Sequence, residues 1–441
     1  MTSSRFTFDS AAIATATGGS VVRPGPAGRV TAHCIDVQSG EWFVALTGDG
    51  YDDHVNVPNV VAKGVAGVIV QHPIPVGDVG MVVVEDTWRA MADLARTARR
   101  RFSGPLVGIT GSTGKTTTRD LVGLALSVQG SVYRTDMNNS RTGTLHALLG
   151  LPDTVDAAVL ELASFKPGEI AYLASVTEPS CRVVVSVGPA HLERLGDLGG
   201  VEVEKRALFD AARPGDRCVV NLDDVRTREW TLPEGTQRIT HGLGGDIELV
   251  RMETDLAALC TKAEWRTPQG MVSARLPSIG PVIARNAAIA LAVAWGEGVD
   301  LAAAAQAFEQ YTPTGPRLRV ERQSGGLLID DTYNANPVSM RGALDLLATL
   351  PGHRTAVLGD MLELGAASAE YHRDLAAVAE QVADQLILVG PAFGAVAPPG
   401  AVVVDTSEAV PELQMGDGRV VLLKGSRKMA LDTVADRLRN A

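Results

Sequence analysis

Between Gly108 and Thr118 the chain reads Gly-Ile-Thr-Gly-Ser-Thr-Gly-Lys-Thr-Thr-Thr, directly after the apolar run Pro-Leu-Val. A buried strand that ends in a glycine-rich turn and restarts as a helix at Lys115 aims backbone N–H groups and a positive helix end at one point. That arrangement suits phosphate oxygens. Gly111, Ser112, Thr113 and Gly114 would form the turn, and Lys115 would meet the β and γ phosphates. Thr116 and Thr117 follow, the Thr116 hydroxyl standing where a phosphate-binding loop carries its Mg²⁺ donor. The strict motif asks for glycine at the position of Ile109, so only the Gly-x-x-Gly-Lys-Thr half is matched. The plainer alternative is a tight turn with an incidental lysine; the strand and helix on either side weigh against it.

Around this loop the chain divides. Its 441 residues exceed what one hydrophobic core usually serves, so two or three domains are expected. Residues 1–103 hold short β-branched runs and an amphipathic helix from Thr87 that closes on Arg99, Arg100 and Arg101, a solvated run complementing the helix dipole. Residues 104–312 alternate strands and helices, as a largely parallel sheet covered on both faces would. After the Pro-rich link Thr-Pro-Thr-Gly-Pro-Arg, residues 313–441 alternate again: Leu-Leu-Ile-Asp-Asp, a helix from Val338, Thr-Ala-Val-Leu-Gly-Asp, a helix from Ala369, Gln-Leu-Ile-Leu-Val-Gly and Arg-Val-Val-Leu-Leu-Lys-Gly. That pattern predicts a Rossmann-like third domain. A formal net charge of -11 excludes a surface built to neutralise nucleic-acid phosphates. Cys34, Cys181, Cys218 and Cys260 match no metal-ligand spacing. Neither a secretory leader nor an apolar run of membrane-spanning length is visible, so a cytoplasmic location is expected.

Four further groups of residues make the reading more specific. They are Glu-Leu-Ala at 161–163, Pro-Gly-Glu-Ile at 167–170, Val-Gly-Pro-Ala-His-Leu-Glu at 187–193, and the third-domain runs Gly-Pro-Arg-Leu from Gly315, Ile-Asp-Asp-Thr-Tyr-Asn-Ala-Asn-Pro from Ile329, Leu-Gly-Asp-Met-Leu-Glu-Leu-Gly from Leu358 and Lys-Gly-Ser-Arg from Lys424. Together with the Gly108–Thr118 loop, these resemble the Mur ligase family at the expected separations. The resemblance implies an α/β, three-domain Mur ligase architecture: an acceptor-binding domain, a central P-loop ATPase-like parallel sheet and a C-terminal Rossmann-like ligase domain. It implies ATP and two Mg²⁺ ions, with Thr116, Glu161 and His191 among the metal ligands and Lys205 carried as a carbamate that adds an anionic ligand. It places Asn286 beside adenine and Arg317 near the γ phosphate. Asp331 falls at the nucleotide, and Tyr333, Asn334 and Asn336 on the ATP-facing rim. Lys424, Ser426 and Arg427 belong to the region that receives the amine. Taken alone, His191 reads as a structural histidine, Lys205 as a solvated charge, and Asn-Ala-Asn-Pro as a helix cap.

The departures from the pattern cluster on one side. Where the family branch that adds D-alanyl-D-alanine grips UDP through Thr-Asp-Ser-Arg, this chain has Ala32, His33, Cys34 and Ile35. Asp52-Asp53-His54 adds negative charge nearby, the asparagines at 138 and 139 fit with a shift, and Phe165 and Lys166 precede Pro-Gly-Glu-Ile. Near adenine, Val282 and Ile283 replace a His-Asn pair. The expected function is therefore an ATP-dependent, ADP-forming carboxylate–amine ligase working through an acyl phosphate on small molecules, with a non-murein acceptor from specialised metabolism. The alternatives are the genuine joining of D-alanyl-D-alanine to UDP-N-acetylmuramoyl-tripeptide, a catalytically silent scaffold descended from a ligase, and a simple P-loop kinase or ATPase.

Overall fold

The computed structural model describes residues 6–48, 50–135 and 139–440; Asn138 falls outside them. The chain forms two compact units. The first comprises 1–108, 130–163 and 171–180, and the second 109–129, 164–170 and 181–441.

In the first unit, five short strands form one sheet in the order Ser20–Arg23, Gly80–Val83, Gly67–Val70, Trp42–Val44, Val30–Thr31. Ser20–Arg23 pairs antiparallel and the others parallel. The three central strands are apolar because both their faces are covered, with Phe43, Val68, Val70 and Met81 in the core, whereas the edge strand Ser20–Arg23 is exposed. Trp42 is fully buried, and its indole N–H donates to the Pro26 carbonyl at 2.9 Å. A Cβ at Gly67 would come within 2.2 Å of that ring, so only glycine fits there.

The helix Thr87–Arg101 is N-capped by Asp86 and ends in the three arginines. Arg100 and Arg101 are exposed, as the sequence suggested, and Arg99 is partly buried, but each also has a partner in the same unit. Arg99 donates to the Thr177 carbonyl at 2.9 Å, Arg100 pairs with Glu178 at 2.7 Å, and Arg101 lies 4.7 Å over the Phe8 ring. Arg99 thereby satisfies a carbonyl at the C-terminal end of the helix Glu169–Thr177.

The second unit holds the parallel strands Cys181–Val184, Arg217–Asn221 and Gln237–His241. The helix Pro281–Gly296 is alanine-rich and buried along most of its length. A three-stranded antiparallel sheet, Glu248–Asp255, Cys260–Thr267 and Gly270–Leu276, follows the third parallel strand; the sequence reading assigned no strands there. The C-terminal part matches expectation closely. Its sheet runs Arg319–Gln323, Gly326–Asp331, Arg419–Lys424, His353–Gly359, Gln385–Val389, Val402–Val404, with only the first pairing antiparallel. The helices Pro337–Thr349 and Ser368–Val382 pack apolar faces into one core, and Asp432–Asn440 into a second. All four cysteines are unpaired.

Candidate active site

The strand Leu106–Thr110 and the helix Lys115–Leu126 flank the loop as the sequence predicts. Gly111 and Gly114 have φ of 147° and 80°, values that a side chain rarely tolerates. At Gly114 a Cβ would also crowd Val185 at 3.0 Å and Asn286 at 3.2 Å. The loop is held from behind by the segment after Val184. The Ser112 amide donates to the Ser186 carbonyl at 2.9 Å, and the Ser112 hydroxyl donates to the Gly188 carbonyl at 2.7 Å. The Thr113 amide donates to the Ser186 hydroxyl at 3.3 Å. Ser112 and Thr113 are thereby tied to the Ser186–Gly188 segment, which shapes the loop ahead of the helix from Lys115. Lys115 folds back so that its Nζ donates to the Gly111 carbonyl at 2.8 Å, and Thr116 is buried.

Lys205 and His191 lie close enough to Lys115 to feel its charge. Lys205 is only 2% exposed on the helix Leu198–Asp210, and its Nζ donates to the Ser164 hydroxyl at 2.8 Å. Burial, reinforced by Lys115, pulls its ammonium down to about 7. A substantial neutral fraction at physiological pH gives this amine a nucleophilic lone pair, which no surface lysine has. Its neighbour Glu204 turns the other way, accepting from the Gly168 and Ile170 amides at 2.6 and 2.7 Å and so capping the start of the helix Glu169–Thr177.

His191 occupies a left-handed backbone conformation, φ 56° and ψ 30°, that costs energy for a residue with a Cβ. Its ring is fixed on two sides: Nδ1 meets the Glu363 carboxylate, and the edge-on Phe165 ring lies 5.0 Å away at 69°. Glu363 is itself at φ 64°, and its carbonyl accepts from the Glu193 amide at 3.0 Å. Two strained residues therefore face each other, and the strain is held by two hydrogen bonds that join the third domain to the Val187–Glu193 segment. Burial lowers the His191 pKa, with Glu363 opposing that shift. With Nδ1 committed to a carboxylate, Nε2 is the nitrogen left to act as a ligand. Glu363, Ser164 and Phe165 are the site residues to which sequence reasoning gave no role. Glu363 stood inside a quoted motif, but its partner lies 172 positions away.

In the third domain, Arg317 stacks 3.5 Å from the Tyr333 ring centroid and donates to the Thr314 carbonyl at 2.7 Å. Asn336 caps the helix Pro337–Thr349 in a full capping box, and its Nδ2 also reaches the Ser112 carbonyl at 3.0 Å. The cap and the loop contact coexist in one side chain. The Asn334 side chain is exposed, while its carbonyl accepts from Lys424.

The three residues expected at the amine each have a partner within the second unit. Lys424 is 1% exposed and paired with Asp331 at 2.6 Å, so its charge orients that carboxylate, whose other oxygen takes the Leu318 amide. The Ser426 hydroxyl accepts from the Leu362 amide at 2.9 Å, tying the Leu358–Gly365 loop to the Lys424–Arg427 loop. Arg427 remains largely exposed beside Asp432. Glu161 lies in the first unit, buried, accepting from Asn139 at 2.6 Å.

The donor set fits the groups that the resemblance implies. Asn286 Nδ2 is buried beside Gly114 with no hydrogen-bond partner, a donor suited to a nucleotide. Among the described residues, no three of His, Cys, Asp and Glu are grouped to hold a metal. The Thr116 hydroxyl is an oxygen donor of the kind that Mg²⁺ takes, an ion that usually keeps waters and draws its remaining ligands from substrate phosphates rather than from a protein cage.

A strained imidazole, a phosphate loop, a buried low-pKa lysine and a Rossmann-like third domain define an ATP-dependent ligase that forms amide bonds. Residues 109–294 match the Mur ligase middle domain and 316–427 the Mur ligase, glutamate ligase domain. The UDP-N-acetylmuramoyl-tripeptide--D-alanyl-D-alanine ligase of Escherichia coli K12 is 30% identical over 421 residues, 93% of each chain. A crystal structure of MurF from Acinetobacter baumannii superposes with a TM-score of 0.92 at 31% identity, covering 99% of this chain and 100% of that one. MurF from Thermotoga maritima in complex with ADP gives 0.86 at 28% identity, covering 94% and 97%. The chain belongs to the Mur ligase family, as an ATP-dependent acid–amino-acid ligase of the ADP-forming kind.

Proposed function

We propose that this enzyme joins D-alanyl-D-alanine to UDP-N-acetylmuramoyl-tripeptide. The observation that carries this reading is similarity along the whole chain, 93% of it against the E. coli ligase of that name, with the acceptor-side domain included. The expectation of a non-murein acceptor rested on Ala32 to Ile35, Asp53, the shifted asparagines at 138 and 139, Phe165 and Lys166. Those few substitutions weigh less than a shared fold over 99% of the chain with a MurF structure. Loss of four motif residues changes how an acceptor is gripped without changing which acceptor it is.

A carboxylate resists attack by an amine because oxide would have to leave; transfer of the γ-phosphoryl group to it gives an acyl phosphate with phosphate as leaving group. Lys115 and Arg317 would neutralise charge developing on the transferred group, and the first turn of the helix from Lys115 would hold the remaining phosphates. Mg²⁺ would add charge neutralisation at those phosphates, with Thr116 and His191 as ligands in the second unit and Glu161 the carboxylate ligand that the family likeness names. The neutral Lys205 amine would add to CO₂, forming an N–C bond and releasing one proton. The resulting carbamate would give the buried site the negative charge that a second ion requires. Glu363 and Phe165 would keep His191 Nε2 aimed while the third domain is closed. Asp331, oriented by Lys424, would face the nucleotide, and the amine of the dipeptide would attack the acyl carbon and expel phosphate.

The test is ADP and phosphate release by the purified chain with ATP, Mg²⁺ and bicarbonate, given the murein pair or a panel of other carboxylates and amines, with products identified by mass spectrometry. An amide of the murein pair is expected. An amide formed only from another pair would return the reading to a different acceptor.

A further inference from the structure

The first unit contains an arginine whose hydrogen-bonding capacity is unspent. Arg141 opens the helix Arg141–Leu149, and its guanidinium is clamped between two aromatic faces, 4.5 Å from the Trp88 ring centroid and 4.3 Å from that of Tyr172. No hydrogen bond or carboxylate engages it among the described residues, and its Nε is buried without a partner, as is the nearby Tyr172 hydroxyl. An unpartnered buried N–H has given up its water without a replacement, so such a group calls for an explanation. Ring faces orient a guanidinium while leaving its in-plane donors available, and Arg141 as a whole is only partly buried. Its terminal nitrogens therefore present a fixed, charged fork.

The same helix is docked onto the segment that carries Ala32 and His33. The Ala32 amide donates to His146 Nε2 at 2.9 Å, and the His33 ring stacks on the His146 ring at 4.0 Å and 18°. Arg141 lies five positions before His146, about 7.5 Å along the helix axis. The helix that packs against Ala32 and His33 thus also carries a cation pre-oriented by stacking.

We infer that Arg141 is the anion grip of the first unit, taking a two-oxygen anionic group of the acceptor, phosphate or carboxylate, on its terminal nitrogens. This rests on the murein reading of the acceptor. Calorimetric titration of the full chain with UDP-N-acetylmuramoyl-tripeptide, UDP alone and the free tripeptide tests it, comparing wild type with Arg141→Met and Arg141→Lys. Arg141→Met keeps the bulk between the rings and removes the charge, and should weaken the UDP-linked tripeptide at least ten-fold with ATP affinity unchanged. Arg141→Lys should recover part of the loss, because the charge returns without the planar fork. A parallel loss for UDP assigns the pyrophosphate; a parallel loss for the tripeptide assigns a carboxylate. Wild type that binds the UDP-linked tripeptide while both variants bind it equally well overturns the inference alone. Wild type that binds no UDP-linked ligand overturns the murein reading along with it. Thermal unfolding of each variant separates loss of binding from loss of fold; if Arg141→Met does not fold, Arg141→Lys carries the comparison.

Discussion

Lys424 in the second unit and Arg141 in the first are cations held in opposite ways. Lys424 is buried against the Asp331 carboxylate and the Asn334 carbonyl, so its charge is consumed within the protein and its work is to orient Asp331. Arg141 is held by two ring faces, which fix its direction without neutralising it. A cation paired at home shapes a site; one held by stacking is left able to meet an anion. The contrast extends to the regions around them. In the second unit most expected residues have internal partners, as pre-organised phosphoryl transfer requires. In the first, Arg141 Nε and the Tyr172 hydroxyl have no partner among the described residues.

The largest effect should come from the loop. Lys115→Met is expected to lower kcat roughly 1000-fold, as loss of a charge acting on the transition state does. Steady-state ADP release checks it, and near-normal turnover would show that the loop lysine belongs with the structural cations.

Lys205→Arg keeps the positive charge and cannot become neutral, so turnover should fall roughly 100-fold, the upper range for a disturbed metal environment. In the wild type at limiting bicarbonate, activity should rise as pH passes about 7, where burial and Lys115 place the ammonium. The sign follows from the chemistry, because only the deprotonated amine adds to CO₂. A flat profile across that range would remove the carbamate from the mechanism.

Glu363→Ala frees the His191 ring and should cost about 10-fold in turnover, with weaker Mn²⁺ binding by electron paramagnetic resonance in the presence of a non-hydrolysable ATP analogue. Unchanged Mn²⁺ affinity with unchanged kcat would make the Glu363 contact a matter of packing.

The smallest effect concerns the first unit alone. Burial, reinforced by His33, lowers His146 from the ordinary 6.5 to about 4. Its neutral ring therefore contributes stability that is complete above 6.5 and is lost as pH falls towards 4. Allowing for partial exposure, wild type should lose roughly 2 kcal/mol more than His146→Gln between pH 7 and 4, measured by urea unfolding. Equal losses would mean that the contact with Ala32 survives protonation.

Much of this molecule was written in local sequence. The glycine-rich turn, the parallel strands and the whole third domain follow from short-range requirements: positive φ at Gly111 and Gly114, apolar runs for strands covered on both faces, Asn336 before Pro337 as a helix cap. The antiparallel sheet from Glu248 to Leu276 escaped notice because one of its faces is solvated and carries Arg251, Lys262 and Arg266, which reads as loop. Local motifs named the candidate residues; the partners each would have were not legible in them. That Lys424 is neutralised by a carboxylate 93 positions away, that Glu363 steers His191, and that Arg141 stands between two rings from other helices are decided by long-range packing. Sequence alone determined which chemistry this chain carries, because the backbone conformations and charges that chemistry needs are local. Tertiary structure decided which charges are spent and which are offered, because that depends on what burial brings within hydrogen-bonding distance.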